Sequence, residues 1–315
     1  MPTTRLPERA PYRYGLAALT GVTGVFCFAP FGLFWLAPVV WFGLFALLRR
    51  AESAREAALN GLSFGLGFFL SGVSWVYVSL SVFGGMPWWL AGIAAFLFCA
   101  VMALFPMGAG WAFKRWQPAT LWQQALLFAA LIAAVDWLRS WIFTGFPWLA
   151  VGYSQAPPSP LAGFAPLLGV HGLSLLVALS GALLLRWRAG LAFLALVVVA
   201  GLSLQQVRWT APLGEPVSVA LIQGNIPQEM KFRPEAFLRT LSLYRQLVED
   251  NPAQLTLLPE TALPAFFDQL PPNYAESLKS AVQKHGGDLV FGTITGDGGH
   301  QAHAFPTKPA FMQTP

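Results

Sequence analysis

The chain has 315 residues, of which 56% are hydrophobic, 14% aromatic and only 10% charged, with a formal net charge of +5. A soluble domain carries about 25% charge, so this composition argues against an ordinary cytosolic enzyme. Residues 1–208 hold 12 Lys/Arg and 4 Asp/Glu while residues 209–315 hold 7 and 10, giving +8 and −3. The excess basicity lies in the apolar half without interleaved polar readers, which fits anchoring of membrane helices and excludes nucleic acid as a partner.

Taken in chain order, apolar runs lie near 14–29, 33–48, 57–80, 88–112, 121–141, 167–185 and 189–207. A helix needs about 17 to 25 such residues to cross a hydrocarbon core, so the first two are short for full spans. Helix is expected throughout, because an open strand cannot satisfy its backbone in lipid. A basic leader precedes the first run, but six more runs follow it, so it reads as an uncleaved first span. Residues 14–208 are therefore expected to form a membrane domain of about seven helices.

Loop charges set an orientation. Arg5, Arg9 and Arg13 precede run one, Arg49, Arg50 and Arg55 follow run two, Lys114 and Arg115 follow run four, and Arg186 and Arg188 follow run six. The alternate loops near 29–33, 81–87 and 142–166 hold no Lys or Arg. The positive-inside rule then puts residues 1–13 in the cytoplasm and everything after run seven on the opposite side, the periplasm of a bacterium. Cys27 and Cys99, the two cysteines, sit inside apolar runs and are expected to act as small hydrophobes. They offer neither a disulfide framework nor a metal site, and no cofactor is expected.

The loop at 142–166, IFTGFPWLAVGYSQAPPSPLAGFAP, is long, uncharged and aromatic. Trp148 and Tyr153 suit either an aromatic belt at the membrane interface or a platform for a lipid or lipidated substrate. Just before it, Asp136 and Arg139 share a helix face. They are expected either to pair with each other at the helix end or to leave Arg139 for a lipid phosphate. His171, at a helix start, reads as a satisfied structural group.

After Arg208 the pattern becomes strand and helix in alternation. Val217–Ile222 reads as a buried strand, 235–249 as an amphipathic helix, Gln254–Leu258 as a strand, 273–285 as a helix and Asp288–Thr293 as a strand. That order predicts an α/β sheet with parallel neighbours. Catalytic groups on such sheets sit where strands end, which points to Glu260 in LTLLPETALP. Between two prolines and after an apolar strand, it could be a general base whose pKa partial desolvation raises. It could equally be a surface glutamate or an acceptor for turn amides.

Six stretches together carry a family resemblance: FAPFGLFWLAPVVW, GVSWVYVSL, DWLRSWIFTGFPWLAVGYSQ, PLLGVHGLSLL, VALIQGNIPQEMKF and LLPETALP. In this order they resemble the apolipoprotein N-acyltransferases, bacterial inner-membrane enzymes with a periplasmic carbon-nitrogen hydrolase domain. The resemblance runs from about residue 14 to about 297. It implies a polytopic α-helical membrane bundle, then an incomplete α/β nitrilase-like (αββα) domain over 209–297. The implied reaction moves a phospholipid acyl chain, through a cysteine thioester, to the N-terminal diacylglyceryl-cysteine amine of an apolipoprotein. On this resemblance Glu260 matches the general base, a Lys helps stabilise the oxyanion, and Phe232 stands where members commonly have Trp. Arg139, Phe146, Trp148, Tyr153 and Phe232 are the candidate substrate-binding residues.

In the family the catalytic Lys and Cys lie downstream of the third strand. Lys279, Lys284 and Lys308 are not in a family-like context and no Cys follows Cys99. The chain is therefore expected to be C-terminally truncated and inactive as it stands, with 298–315 an aberrant or disordered tail. Two alternatives remain at this point: a membrane-tethered nitrilase-type amidase, and a non-catalytic membrane protein binding lipid or partner proteins through its aromatic loop.

Overall fold

The computed structural model describes residues 9–266, 269–294 and 308–312. Residues 1–8, with Arg5, and all of 298–315 except Lys308–Met312 lie outside the described residues. The chain divides into two compact units, Met1–Ala211 and Pro212–Pro315.

Helices occupy every apolar run of the first unit. They are α1 (Arg9–Val25), α2 (Ala37–Arg50), α3 (Ala54–Gly72), α4 (Trp75–Val78), α5 (Trp88–Arg115), α6 (Leu121–Arg139), α7 (Ala165–Leu183) and α8 (Trp187–Leu204). Among the described residues four helical segments are long and apolar enough to cross a membrane, namely α5, α6, Pro160–Leu183 and α8. Run 57–80, expected as one span, is instead broken after Gly72, and Ala54–Gly72 and Trp75–Phe83 meet at a 50° bend. With α1 at 17 residues and α2 at 14, length and composition give four membrane-length segments among the described residues, or five if the bent pair is one span, where seven were expected.

Local signals explain the boundaries. Pro38 opens α2, and Arg49 and Arg50 close it where the helix dipole favours cations. Ser53 caps α3 by accepting the Glu56 amide at 3.1 Å, the first half of a capping box. In the bundle α3 is the central element, packed on both α1 and α5. Close approach depends on missing side chains: a Cβ at Gly61 would lie 2.2 Å from the Pro106 carbonyl oxygen. Lipid gives apolar helices no hydrophobic drive to associate, so such small-residue contacts do the holding. Phe45, Phe64, Phe113 and Phe128 fill the interior, in tilted and edge-on ring pairs.

The second unit holds β1 (Val219–Leu221), α9 (Pro234–Asp250), β2 (Leu255–Leu257), β3 (Leu263–Phe266), α10 (Tyr274–Gln283), β4 (Asp288–Ile294) and β5 (Lys308–Met312). The sheet order is β1-β2-β4-β3, all parallel, with β5 antiparallel to β4. Leu241, Val248, Tyr274, Leu278, Val282, Leu289 and Phe291 bury themselves between α9, α10 and the sheet. The first strand is not buried as expected: Val219 and Leu221 are 50% and 76% exposed. It is a sheet edge whose outward face no described element covers.

Candidate functional site

Two constellations stand out, one in each unit. In the first unit the aromatic loop is held by a buried polar network at the end of α6. Asp136 and Arg139 are both buried and pair at 3.0 Å. The other Asp136 oxygen accepts the Val151 amide at 2.7 Å and the Ser174 hydroxyl at 2.8 Å, while Ser174 Oγ accepts the Gly152 amide at 2.9 Å. Arg139 Nη1 donates to the carbonyls of Phe146, at 2.9 Å, and Trp148. Its guanidinium also lies over the Phe69 ring, 5.2 Å from the centroid. Every strong group is therefore matched, which a charge in so dry a place requires.

This anchoring sustains an unusual backbone. Phe143, Thr144 and Leu149 all have positive φ, at a cost of about 1–3 kcal/mol each. Gln155, also buried, donates to the Phe34 carbonyl at 3.2 Å and accepts from Ser159 at 2.7 Å. Gln205 Nε2 donates to the Ser159 carbonyl at 3.0 Å. The loop is thus tied to α6, α7, the segment before α2 and the end of α8.

Beside it opens a cavity of about 650 Å³, lined chiefly by Phe28, Phe31, Trp75, Trp148, Leu149 and Tyr153. Trp75 and Trp148 meet at 5.2 Å between ring centroids, and Phe146 contacts both and Phe98 at 4.9 Å. Trp148 and Tyr153 remain about half exposed, at 49% and 54%. The structure brings Trp148 and Tyr153 together in the lining of this cavity, with Phe146 packed against Trp75 and Trp148. Arg139 lies beneath them and shows no free edge to a ligand. Ser174 and Trp75 were missed by the sequence reading; a hydroxyl in an otherwise apolar span was the available signal for Ser174. His171, read as satisfied, has a buried Nδ1 without a partner among the described residues.

In the second unit Glu260 follows β2 in a tight turn. Thr261 has φ of 53°, and the Ala262 amide returns to the Pro259 carbonyl at 3.1 Å. Glu260 is exposed, so burial does not supply the desolvation expected of it. Lys231 Nζ donates to the Glu260 carbonyl at 3.4 Å and stands 6.0 Å from the Phe232 ring centroid. A cavity of about 350 Å³ beside the turn is lined by Lys231, Phe232, Phe237, Pro264 and Phe266 among others. Phe232 and Glu260 thus belong to one neighbourhood, joined by Lys231, which the sequence reading passed over. Among the described residues no three His, Cys, Asp or Glu side chains gather as a metal site.

A bundle with several membrane-length apolar helices and an aromatic cavity, followed by a parallel α/β unit, defines a multi-pass membrane protein with an appended α/β unit. Residues 20–183 match the family model described as the apolipoprotein N-acyltransferase N-terminal domain. The chain belongs to this family. It is 47% identical over 290 residues to the apolipoprotein N-acyltransferase of Nitrosomonas europaea, covering 89% of this chain and 58% of the relative. Against those of Ralstonia nicotianae and Chromobacterium violaceum it is 41% identical over 310 and 299 residues, 94% and 92% of this chain. The chain spans 58% of the length of each of these relatives.

Proposed function

We propose that this chain serves apolipoprotein N-acylation at a bacterial inner membrane, with a phospholipid as acyl donor and a lipid-modified apolipoprotein as acceptor. The observation that carries the reading is the aromatic cavity held open by the Asp136 network, inside the region that matches the family. An apolar chamber of this volume, with an indole rim, suits an acyl chain whose polar end stays at the interface. Phe146, Trp148 and Tyr153 contact the chain or its glycerol end. Arg139 serves it indirectly, by fixing the carbonyls of Phe146 and Trp148. The N-terminus is cytoplasmic and the second unit periplasmic; Arg49, Lys114 and Gln124 meeting at one end of unit 1 support this, as do the uncharged loops around the cavity at the other.

In this reading the second unit is part of a nitrilase-like carbon-nitrogen hydrolase domain. Its parallel strands and the placing of Glu260 directly after β2 support that assignment. Glu260 takes the proton of an attacking thiol, the thiolate adds to the ester carbonyl, and the proton passes from Glu260 to the lysophospholipid oxygen as that group leaves and the acyl chain stays as a thioester. Phe232 and Lys231 flank the approach to the turn. Cys27 and Cys99 are both buried in the first unit, and are not assigned as that thiol.

The test uses a chimera carrying the downstream segment of the Nitrosomonas europaea relative. Glu260→Gln keeps size and most hydrogen bonding but cannot accept a proton. Acyl-enzyme formation from phospholipid is expected to fall by about 10² to 10⁴, the usual worth of a positioned general base. An unchanged acylation rate with a lowered melting temperature removes Glu260 from the mechanism. Absence of any acyl-enzyme in the unsubstituted chimera would overturn the functional assignment itself.

A further inference from the structure

The end of the bundle opposite the aromatic loop holds another cavity, of about 370 Å³, between the start of α6 and the turn joining α7 to α8. Leu121, Trp122, Leu183, Ala189 and Phe193 give it apolar walls, and Arg186 stands in its lining as the sole charge. The turn is tightly set: the Arg186 amide donates to the Leu183 carbonyl at 3.0 Å, and the Gly190 amide to the Arg186 carbonyl at 2.9 Å. A Cβ at Gly190 would lie 2.5 Å from the Leu183 oxygen, so the backbone under Arg186 is fixed by close packing. Trp122 and Trp187 flank the region, 52% and 64% exposed, as indoles at a membrane interface do.

Three of the cations at this end of the bundle are engaged. Arg188 lies over the Trp187 ring, 5.0 Å from the centroid. Arg49 Nε donates to Gln124 Oε1 at 3.0 Å, and Lys114 Nζ to the Arg49 carbonyl at 3.3 Å. Among the described residues the Arg186 side chain has neither a hydrogen bond nor an ion pair. An unpaired guanidinium over an apolar slot calls for a ligand that is anionic at one end and hydrocarbon at the other. A soluble anion would leave the walls unused. A lipid with a neutral headgroup would gain nothing from the surrounding positive field. A guanidinium matches a phosphodiester geometrically as well as in charge.

We propose that this slot binds one anionic phospholipid of the adjoining leaflet, its phosphate on Arg186 and an acyl chain along Leu121, Leu183 and Phe193. The site lies at the other end of the bundle from the aromatic cavity and is separate from the acyl-donor site proposed there. Basic pockets between membrane helices on the cytoplasmic side hold acidic headgroups in this way.

The 315-residue chain, purified from equal mixtures of phosphatidylglycerol and phosphatidylethanolamine, is examined by native mass spectrometry. Wild type is expected to retain one phosphatidylglycerol preferentially. Arg186→Gln, a change at an exposed position, is expected to cut that retention about fivefold, the worth of one cation near an anionic surface. Ala189→Trp, which fills the slot, is expected to do the same. Arg188→Gln, which removes a guanidinium stacked on Trp187, is expected to cut it less than Arg186→Gln does. The retention that Arg186→Gln loses is expected to persist in Trp148→Ala, which separates this lipid from any in the aromatic cavity. Retention that merely follows the supplied lipid ratio, or survives Arg186→Gln, overturns the proposal. So does an equal rise in melting temperature with inorganic phosphate alone, which would make the ligand a free anion.

Discussion

Gly292 on β4 presents bare backbone to Glu260 on the neighbouring turn: a Cβ added to Gly292 would lie 3.0 Å from Glu260 Cα and 2.8 Å from the Thr261 nitrogen. Both contacts are to backbone, which has no rotamer by which to yield. Gly292→Ala is therefore expected to displace the turn, at a cost of about 1–3 kcal/mol typical of overpacking. Hydrogen exchange should report it at the Ala262 amide, whose bond to Pro259 closes the turn. Unchanged protection there would mean that β4 moves instead and that Glu260 is not held from below.

The Asp136–Arg139 pair invites a double-mutant cycle. Arg139→Met strands a buried carboxylate, and Asp136→Asn strands a buried guanidinium; each is expected to cost about 3–5 kcal/mol, since one partner then stays charged without its complement. The double variant is expected to cost less than the sum by about 0.5–3 kcal/mol. Thermal melting in detergent measures all three. Strict additivity would show that Asp136 acts through Val151 and Ser174 alone.

The second unit is expected to be sensitive to alkali. Burial pushes the Tyr274 hydroxyl well above its usual range, with Arg245 opposing, and burial also raises Tyr244. A raised folded-state value means the folded unit prefers the neutral phenol. The stability it contributes is complete below the unfolded value of about 10 and is lost as pH climbs toward the folded values. Tyr274→Phe removes the titration together with the 2.8 Å bond to the Leu241 carbonyl, so it should cost about 0.5–1.5 kcal/mol at neutral pH and flatten the loss above pH 10. Denaturant titrations followed by exchange of α10 amides decide this; an equal alkaline loss in the variant would clear Tyr274 of responsibility.

Orientation is open to a simple assay. A periplasm-active reporter fused after Gly214 is expected to work and a cytoplasm-only reporter to fail, from the partition of ten basic residues against none among the loops. The opposite pair of results would mean that the short α1 and α2, or the bent α3 and α4, do not cross as counted.

Much of this architecture could be read from local pattern, and the rest could not for definable reasons. Apolar runs and capping residues such as Ser53 and Pro38 mark helices because the information is contiguous. Strand β3 escaped notice because Leu263–Phe266 is four residues long and contains Pro264, which ordinarily speaks against a strand. The pairing of Asp136 with Arg139 is visible at i, i+3. The Ser174 hydroxyl, however, lies 38 positions from Asp136, and no periodicity announces so distant a partner. Glu260 could be found from its strand end and flanking prolines. Its exposure could not, because that depends on which elements cover the turn.

The ties on the aromatic loop reach forward in the sequence as well as back. Asp136 and Phe34 are already synthesised when residues 142–155 emerge, but Ser174 and Gln205, which secure Gly152 and Ser159, come later. Until α7 and the end of α8 have entered the bundle, two of the anchors on this strained segment do not exist. The loop therefore gains its tie at Ser159 only once the end of α8 is in place, whereas the carbonyls of Phe146 and Trp148 can be held by Arg139 as soon as they emerge.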